Sequence, residues 1–175
     1  DDGQISSKGN YYNGKKDANN IKNEIIKKGL KCDIYEMNVL KPDKILNKLK
    51  RKGFLITDLY YFASPKIKSS RKSNLNMLLF NQYNLVYVEA FEELIKKMYK
   101  LNFKSFRVFY PSTIYIDENP LIFKEYIKAK IKAERKMKSI KTEYRINDIF
   151  IPRLPKLFTD QNPYLSFQEI EKNRK

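Results

Sequence analysis

The chain has 175 residues, with 36 Lys and Arg against 20 Asp and Glu, a formal charge of +16 and no histidine. That length fits one domain, and 42% hydrophobic with 14% aromatic residues gives it enough apolar side chains for a core, against global disorder. The absence of histidine excludes Ser-His-Asp and Cys-His catalysis and most zinc sites, so no metal centre is expected and acid–base chemistry falls to Tyr, Lys, Asp or Glu. One cysteine, Cys32, excludes an internal disulfide and suggests a reducing, cytoplasmic setting; it reads as a small core residue. No apolar run approaches the ~20 residues of a membrane span.

Residues 1–16 are polar and rich in Gly, Ser and Asn, and read as a ragged strand or loop. The start, Asp1-Asp2-Gly3, has no signal-peptide character and no initiator Met, as expected of an excised or processed segment. A helix is predicted over 17–29, with Ile21, Ile25 and Ile26 as its apolar stripe and Gly29 as its stop. Residues 32–39 read as a strand. A short helix over 42–52 has Pro42 near its start and Ile45, Leu46 and Leu49 on one face. The run 57–63 suits a buried parallel strand, and 66–75 a polar loop. A long helix over 77–101 carries Leu85, Val88, Phe91, Leu94, Ile95 and Met98. Then come a strand at 106–111, a helix at 121–140, a strand at 145–151 ended by Pro152 and Pro155, and a C-terminal helix or tail over 163–175.

Helices alternating with strands predict an α/β fold, a parallel sheet with helices on both faces. Active sites of such sheets lie at the carboxyl ends of the strands. Ser112, the loop at 152–161 and Tyr126 fall where they can converge on that rim. Tyr126 and Lys130 are four residues apart, so they share a helix face. An ammonium there can lower a phenol pKa from its usual ~10 and fit it to donate a proton to a carbonyl oxygen. By itself the pair is also what a solvated, lysine-rich helix face looks like. Likewise Ser112 in Pro-Ser-Thr can serve as a helix cap, and Thr159-Asp160 can cap a following helix.

In order, Asn38-Val39, Phe62-Ala63-Ser64, Asn84, Ser112, Tyr126 and Lys130 resemble the motif series of the short-chain dehydrogenases/reductases. The closest flavour is the ketoreductase domain of polyketide and fatty-acid synthases. Asn84 and Ser112 are 28 residues apart, a common family spacing; Ser112 and Tyr126 are 14 apart, one more than the commonest, so Thr113 stands as an alternative to Ser112. Pro155-Lys156-Leu157-Phe158-Thr159-Asp160 resembles the segment at the nicotinamide end, without its glycine.

The resemblance implies NADPH-dependent reduction of a β-ketoacyl thioester to a β-hydroxyacyl thioester within a larger synthase. It makes Asn84, Ser112, Tyr126 and Lys130 catalytic. It places Asn38, Val39, Ala63, Lys130, Pro155 and Thr159 at the cofactor, with Lys8, Lys15 and Lys16 favouring a 2′-phosphate. Acyl carrier protein, an acidic partner for a basic surface, and other synthase domains would be its partners.

The family's glycine-rich phosphate turn is missing: the five glycines, at 3, 9, 14, 29 and 53, form no such cluster. The resemblance therefore implies a single incomplete reductase-like domain, a partial Rossmann-like sheet lacking the first β-α unit and the last strand. A cofactor-free scaffold half of a synthase ketoreductase is the alternative. Charge alone suggests nucleic-acid binding, but the lysines are scattered along every helix and no nucleic-acid motif accompanies them.

Overall fold

The structure is a computed structural model that describes residues 14–68 and 74–155. Residues 1–13 of the predicted N-terminal strand or loop, everything after Pro155 (Thr159 included) and the C-terminal helix lie outside the described residues; residues 14–16 begin a helix instead of the predicted strand or loop.

In chain order the elements are α1 (Gly14–Lys27), α2 (Asp43–Arg51), β1 (Asp58–Tyr60), α3 (Met77–Asn84), a π-helical segment (Leu85–Ala90) and α4 (Phe91–Lys100). There follow β2 (Arg107–Phe109), β3 (Ser112–Thr113), α5 (Tyr115–Glu118), a 3-10 turn (Leu121–Phe123), α6 (Lys124–Glu143), β4 (Asp148–Phe150) and β5 (Arg153–Leu154). The fold is α/β: β1, β2 and β4 form a parallel sheet in that order, flanked by helices. Beyond the carboxyl ends of β2 and β4, the same two chain segments pair again as β3 and β5, also in parallel.

Register decides the two faces of the sheet. Leu59, Val108 and Ile149 are aligned across β1, β2 and β4 and join the core with Phe91, Leu94, Ile95, Met98, Ala133 and Met137. One residue away along each strand, side chains point to the opposite face. There Tyr60, Phe109 and Phe150 align, and their rings touch at centroid distances of 5.6 and 5.7 Å. Phe62 also packs on Phe109. Tyr60, Phe62 and Phe150 are 63%, 59% and 60% exposed. An apolar row of that kind on a parallel sheet is a surface that a further layer of structure covers in α/β folds.

Several sequence expectations differ from the structure. Residues 32–39 form no strand, because a strand needs a neighbour to take its hydrogen bonds and no described strand lies beside it. Only Val39 of that stretch is buried, and Cys32 is half-buried instead of a core residue. The stripe of α1 also stays open, with Ile21 and Ile26 exposed.

The long helix predicted over 77–101 is broken in its middle by a turn and a half of π-helix. The wider turn frees carbonyls from their helical partners, and tyrosines supply replacements. Tyr61 donates its hydroxyl to Val86 O at 2.8 Å, and Tyr110 donates to Tyr87 O at 2.6 Å. Both tyrosines sit at the carboxyl ends of strands, so the sheet fixes the irregularity in place.

Helix α6 ends in a Schellman turn. Ile146 N donates to Lys141 O at 3.1 Å, with Arg145 at φ 50° and Ile146 buried beneath it. The left-handed conformation costs a non-glycine residue about 1 kcal/mol. Arg145→Gly is accordingly expected to raise stability by ~0.5–1 kcal/mol, read as a higher urea midpoint at unchanged m-value.

Candidate active site

Helix α6 supplies the tyrosine and the lysine, and its alternation of faces explains their burial. Ile127, Ala129, Ala133, Met137 and Ile140 carry it into the core, and Tyr126 and Lys130 turn with them toward the π-helical segment and the end of β2. Tyr126 is 7% exposed and Lys130 6%. The Tyr126 ring meets Tyr83 and Tyr87 edge-on, at 5.9 and 5.7 Å.

Lys130 Nζ donates to Pro111 O at 2.8 Å and lies 4.0 Å from the Tyr87 ring centroid. It is 5.1 Å from the Tyr110 ring centroid and 5.9 Å from that of Tyr126. Burial among these rings brings the Lys130 pKa down to about 7, while the nearby Glu134 carboxylate pulls it back up.

The Tyr126 phenol therefore differs from the sequence expectation. Burial pushes its pKa up to about 12, against a hydrogen bond with Thr113 that lowers it. A lysine that is itself half-discharged near neutral pH, and that is held closer to Tyr87 than to Tyr126, exerts little pull on that phenol.

Ser112 and Thr113 are both buried in β3, and alternation sends them to opposite partners. Ser112 Oγ donates to Glu134 Oε1 at 2.6 Å. Thr113, whose Oγ1 accepts from Tyr115 N at 3.3 Å, is the hydroxyl near enough to Tyr126 to lower its phenol pKa. It stands 13 residues before Tyr126 in the chain, one fewer than Ser112.

Asn84 is buried where the π-helical segment begins. Residues five apart stack in a π-helix, and its amide donates to Glu89 Oε1. Its Oδ1 is buried with no hydrogen-bond partner among the described residues. Asn38 uses its side chain locally, accepting from Leu40 N at 2.9 Å, while Val39 is in the core. Ala63 is half-buried just past β1, beside Ser64, whose hydroxyl pairs with the Tyr87 hydroxyl at 2.6 Å. Pro155 is exposed and is the last described residue.

Two charged residues join the site unannounced by any motif. Glu134, one turn past Lys130, accepts from Arg153 Nη2 at 2.8 Å and Nε at 3.1 Å, and Arg153 also pairs with Asp117. Burial alone would raise the Glu134 carboxyl; Arg153, Ser112 and Lys130 together hold it below its ordinary value. Its position four residues after Lys130 was visible in the sequence, but its partner Arg153 was not.

Among solved structures, the chain is similar to an NAD+-bound xylitol dehydrogenase, with 11% identity and a TM-score of 0.66 over 83% of this chain and 58% of that one. It is also similar to acetoin dehydrogenase YohF from Salmonella typhimurium, at 13% identity and a TM-score of 0.65, covering 86% and 65% of the two chains. Acetoin dehydrogenase from Enterobacter cloacae gives 13% identity and 0.64, over 87% and 65%. The chain has the fold of these dehydrogenases. It spans 58–65% of their length. No protein-family model matches the sequence, and no curated protein matches it.

For a dinucleotide the site fits one end. Lys130 gives one of its three N–H groups to Pro111 O, so two are left for ribose hydroxyls. At the pyrophosphate end the fit fails among the described residues. Gly14 opens α1 with no second glycine close by, and Gly29 and Gly53 close helices at φ +77° and +72°, so no glycine cluster sits at a helix start. No helix among the described residues is long and apolar enough to cross a membrane.

Proposed function

We propose that this chain carries the proton-donating part of an NADPH-dependent reductase that turns a β-ketoacyl thioester into a β-hydroxyacyl thioester. The observation that carries the reading is the buried Thr113–Tyr126–Lys130 set at the carboxyl-terminal rim of a parallel sheet. A reduced nicotinamide, when bound, supplies the hydride; the remaining work falls to side chains of this chain.

The Thr113 hydroxyl lies beside the Tyr126 phenol, and the two together suit a ketone oxygen. As negative charge develops on that oxygen, Tyr126 gives up its proton. A phenol with a pKa of about 12 remains a sufficient acid for an alkoxide, which is the stronger base. The reverse reaction starts from the phenolate, which burial disfavours. Lys130 would hold the ribose hydroxyls, and Asn84, with its unsatisfied Oδ1, a water. A charge of +16 suits an acidic carrier protein as the bearer of the thioester.

NADPH oxidation with a β-ketoacyl thioester, beside calorimetric titration with NADPH alone, tests the proposal. Turnover is expected with the thioester. A protein that binds NADPH and leaves the ketone untouched would refute the reaction. Failure to bind NADPH would favour the scaffold reading, which the missing glycine-rich phosphate turn supports.

A further inference from the structure

Ser112 and Thr113 are adjacent hydroxyls, and something must decide which of them faces Tyr126. The deciding contacts come from α6 and β5. Ser112 and Arg153 are opposite each other in the β3–β5 pairing, and Ser112 N donates to Pro152 O at 2.8 Å. Glu134 spans the two residues of that rung: one oxygen accepts from both Ser112 Oγ and Arg153 Nε, and the other from Arg153 Nη2. The same carboxylate is one helical turn from Lys130.

We propose that Glu134 is a positioning residue for the Thr113–Tyr126–Lys130 set. It takes the Ser112 hydroxyl, so that Thr113 is the one presented to Tyr126, and its charge, shared with Arg153, favours the ammonium form of Lys130. This rests on the reductase reading only for the purpose it assigns to the set; the positioning itself is testable without turnover.

The surroundings of Lys130 make the assignment specific. From α6 it is faced by Tyr126 and Glu134, from the π-helical segment by Tyr87, and from the end of β2 by Tyr110 and the Pro111 carbonyl. Arg153 from β5, tied to Asp117 of α5, reaches it only through Glu134. Glu134 is thus the carboxylate that acts on the ammonium, and Arg153 dilutes its effect. Rupturing the clamp from its two ends should therefore move Lys130 in opposite directions, which a merely structural clamp would not do.

The experiment is an NMR titration of Lys130 Nζ in the chain itself, with Glu134→Gln and Arg153→Gln compared with the parent. Glu134→Gln is expected to lower the Lys130 midpoint by roughly half a unit, and Arg153→Gln to raise it. Midpoints that move together, or that do not move, would overturn the charge role. In Glu134→Gln the Ser112 hydroxyl keeps an amide oxygen as acceptor, so the fold has reason to persist; Arg153→Gln gives a second reading if it does not.

The hydroxyl assignment is read separately, from the chemical shifts of the Tyr126 ring. Thr113→Val is expected to move them and Ser112→Ala to leave them in place; the opposite pattern would overturn it. Absence of ketone reduction in the parent would fall on the reductase reading alone and leave these titrations intact.

Discussion

Tyr126→Phe is expected to cut ketone reduction by about 10²–10⁴-fold, the usual worth of a positioned general acid, while NADPH binding stays within about twofold. The split follows from what the phenol touches. Its ring is packed against Tyr83 and Tyr87, contacts that phenylalanine reproduces. Its hydroxyl lies beside that of Thr113, and that contact is what the substitution removes. Thr113 lies in β3, where it keeps its backbone pairing with Leu154, so the loss should cost no more than ~1 kcal/mol of stability. The measurement is kcat and KM for NADPH oxidation with a β-ketoacyl thioester, alongside a urea melt. Reduced kcat with KM unchanged marks a group that acts in the transition state. Turnover within a few-fold of the parent would remove Tyr126 from the chemistry and, with no histidine in the chain, leave the Lys130 ammonium as the acid beside it.

How much of this arrangement the sequence made legible differs by element, and the differences have physical causes. The runs around Val108 and Ile149 announced themselves because a parallel strand buried on its core face leaves a compact apolar signature. Helix α6 was legible from the same kind of local pattern, which is why Tyr126 and Lys130 could be placed on one face before any coordinates. The stretch 32–39 has a strand-like composition too, but pairing is a property of neighbours, and composition does not report whether a neighbour exists. The π-helical segment was equally invisible. Its stability comes from Tyr61 and Tyr110 capping carbonyls 25 and 23 residues away, and nothing within Leu85–Ala90 foretells those donors. The choice between Ser112 and Thr113 stayed open for the same reason: it depends on Glu134 and on Arg153, 41 residues downstream of Ser112. A motif lists which hydroxyls are near the right place in the chain; only the packing of α6 on β3 says which one turns inward.

Lys130→Met is expected to make the protein more stable at pH 6, by about 1–3 kcal/mol, at the same time as it removes the lysine from the site. Folding takes a lysine of ordinary pKa 10.5 into an environment where the value is about 7. Below pH 7 the amine is charged in both the folded and the unfolded chain, and the fold bears the whole cost of burying that charge, on the order of 4–5 kcal/mol as an upper bound. Methionine has a similar shape and no charge; against the relief stand the lost bond to Pro111 O and the lost stacking of the ammonium over Tyr87, together worth about 1–3 kcal/mol. Between pH 7 and about 10.5 the unfolded chain binds a proton that the folded chain has released, so this residue's contribution makes stability rise with pH across that window. Above about pH 10 the trend reverses, because buried Tyr126 keeps its proton up to about 12 while unfolded tyrosines lose theirs. The parent should therefore gain on the variant steadily from pH 7 to 10, and the advantage of Lys130→Met at pH 6 should shrink or vanish by pH 9. Urea midpoints for both proteins at pH 6, 7.5 and 9 measure the difference directly, and contributions from every other titrating group cancel in the comparison. A difference independent of pH would show that Lys130 titrates alike in both states, and a variant weaker at pH 6 would show the ammonium to be net favourable where it lies. The predicted result, a buried charge that weakens the fold at the pH where it is charged, is the pattern of a residue kept for its chemistry at a cost in stability.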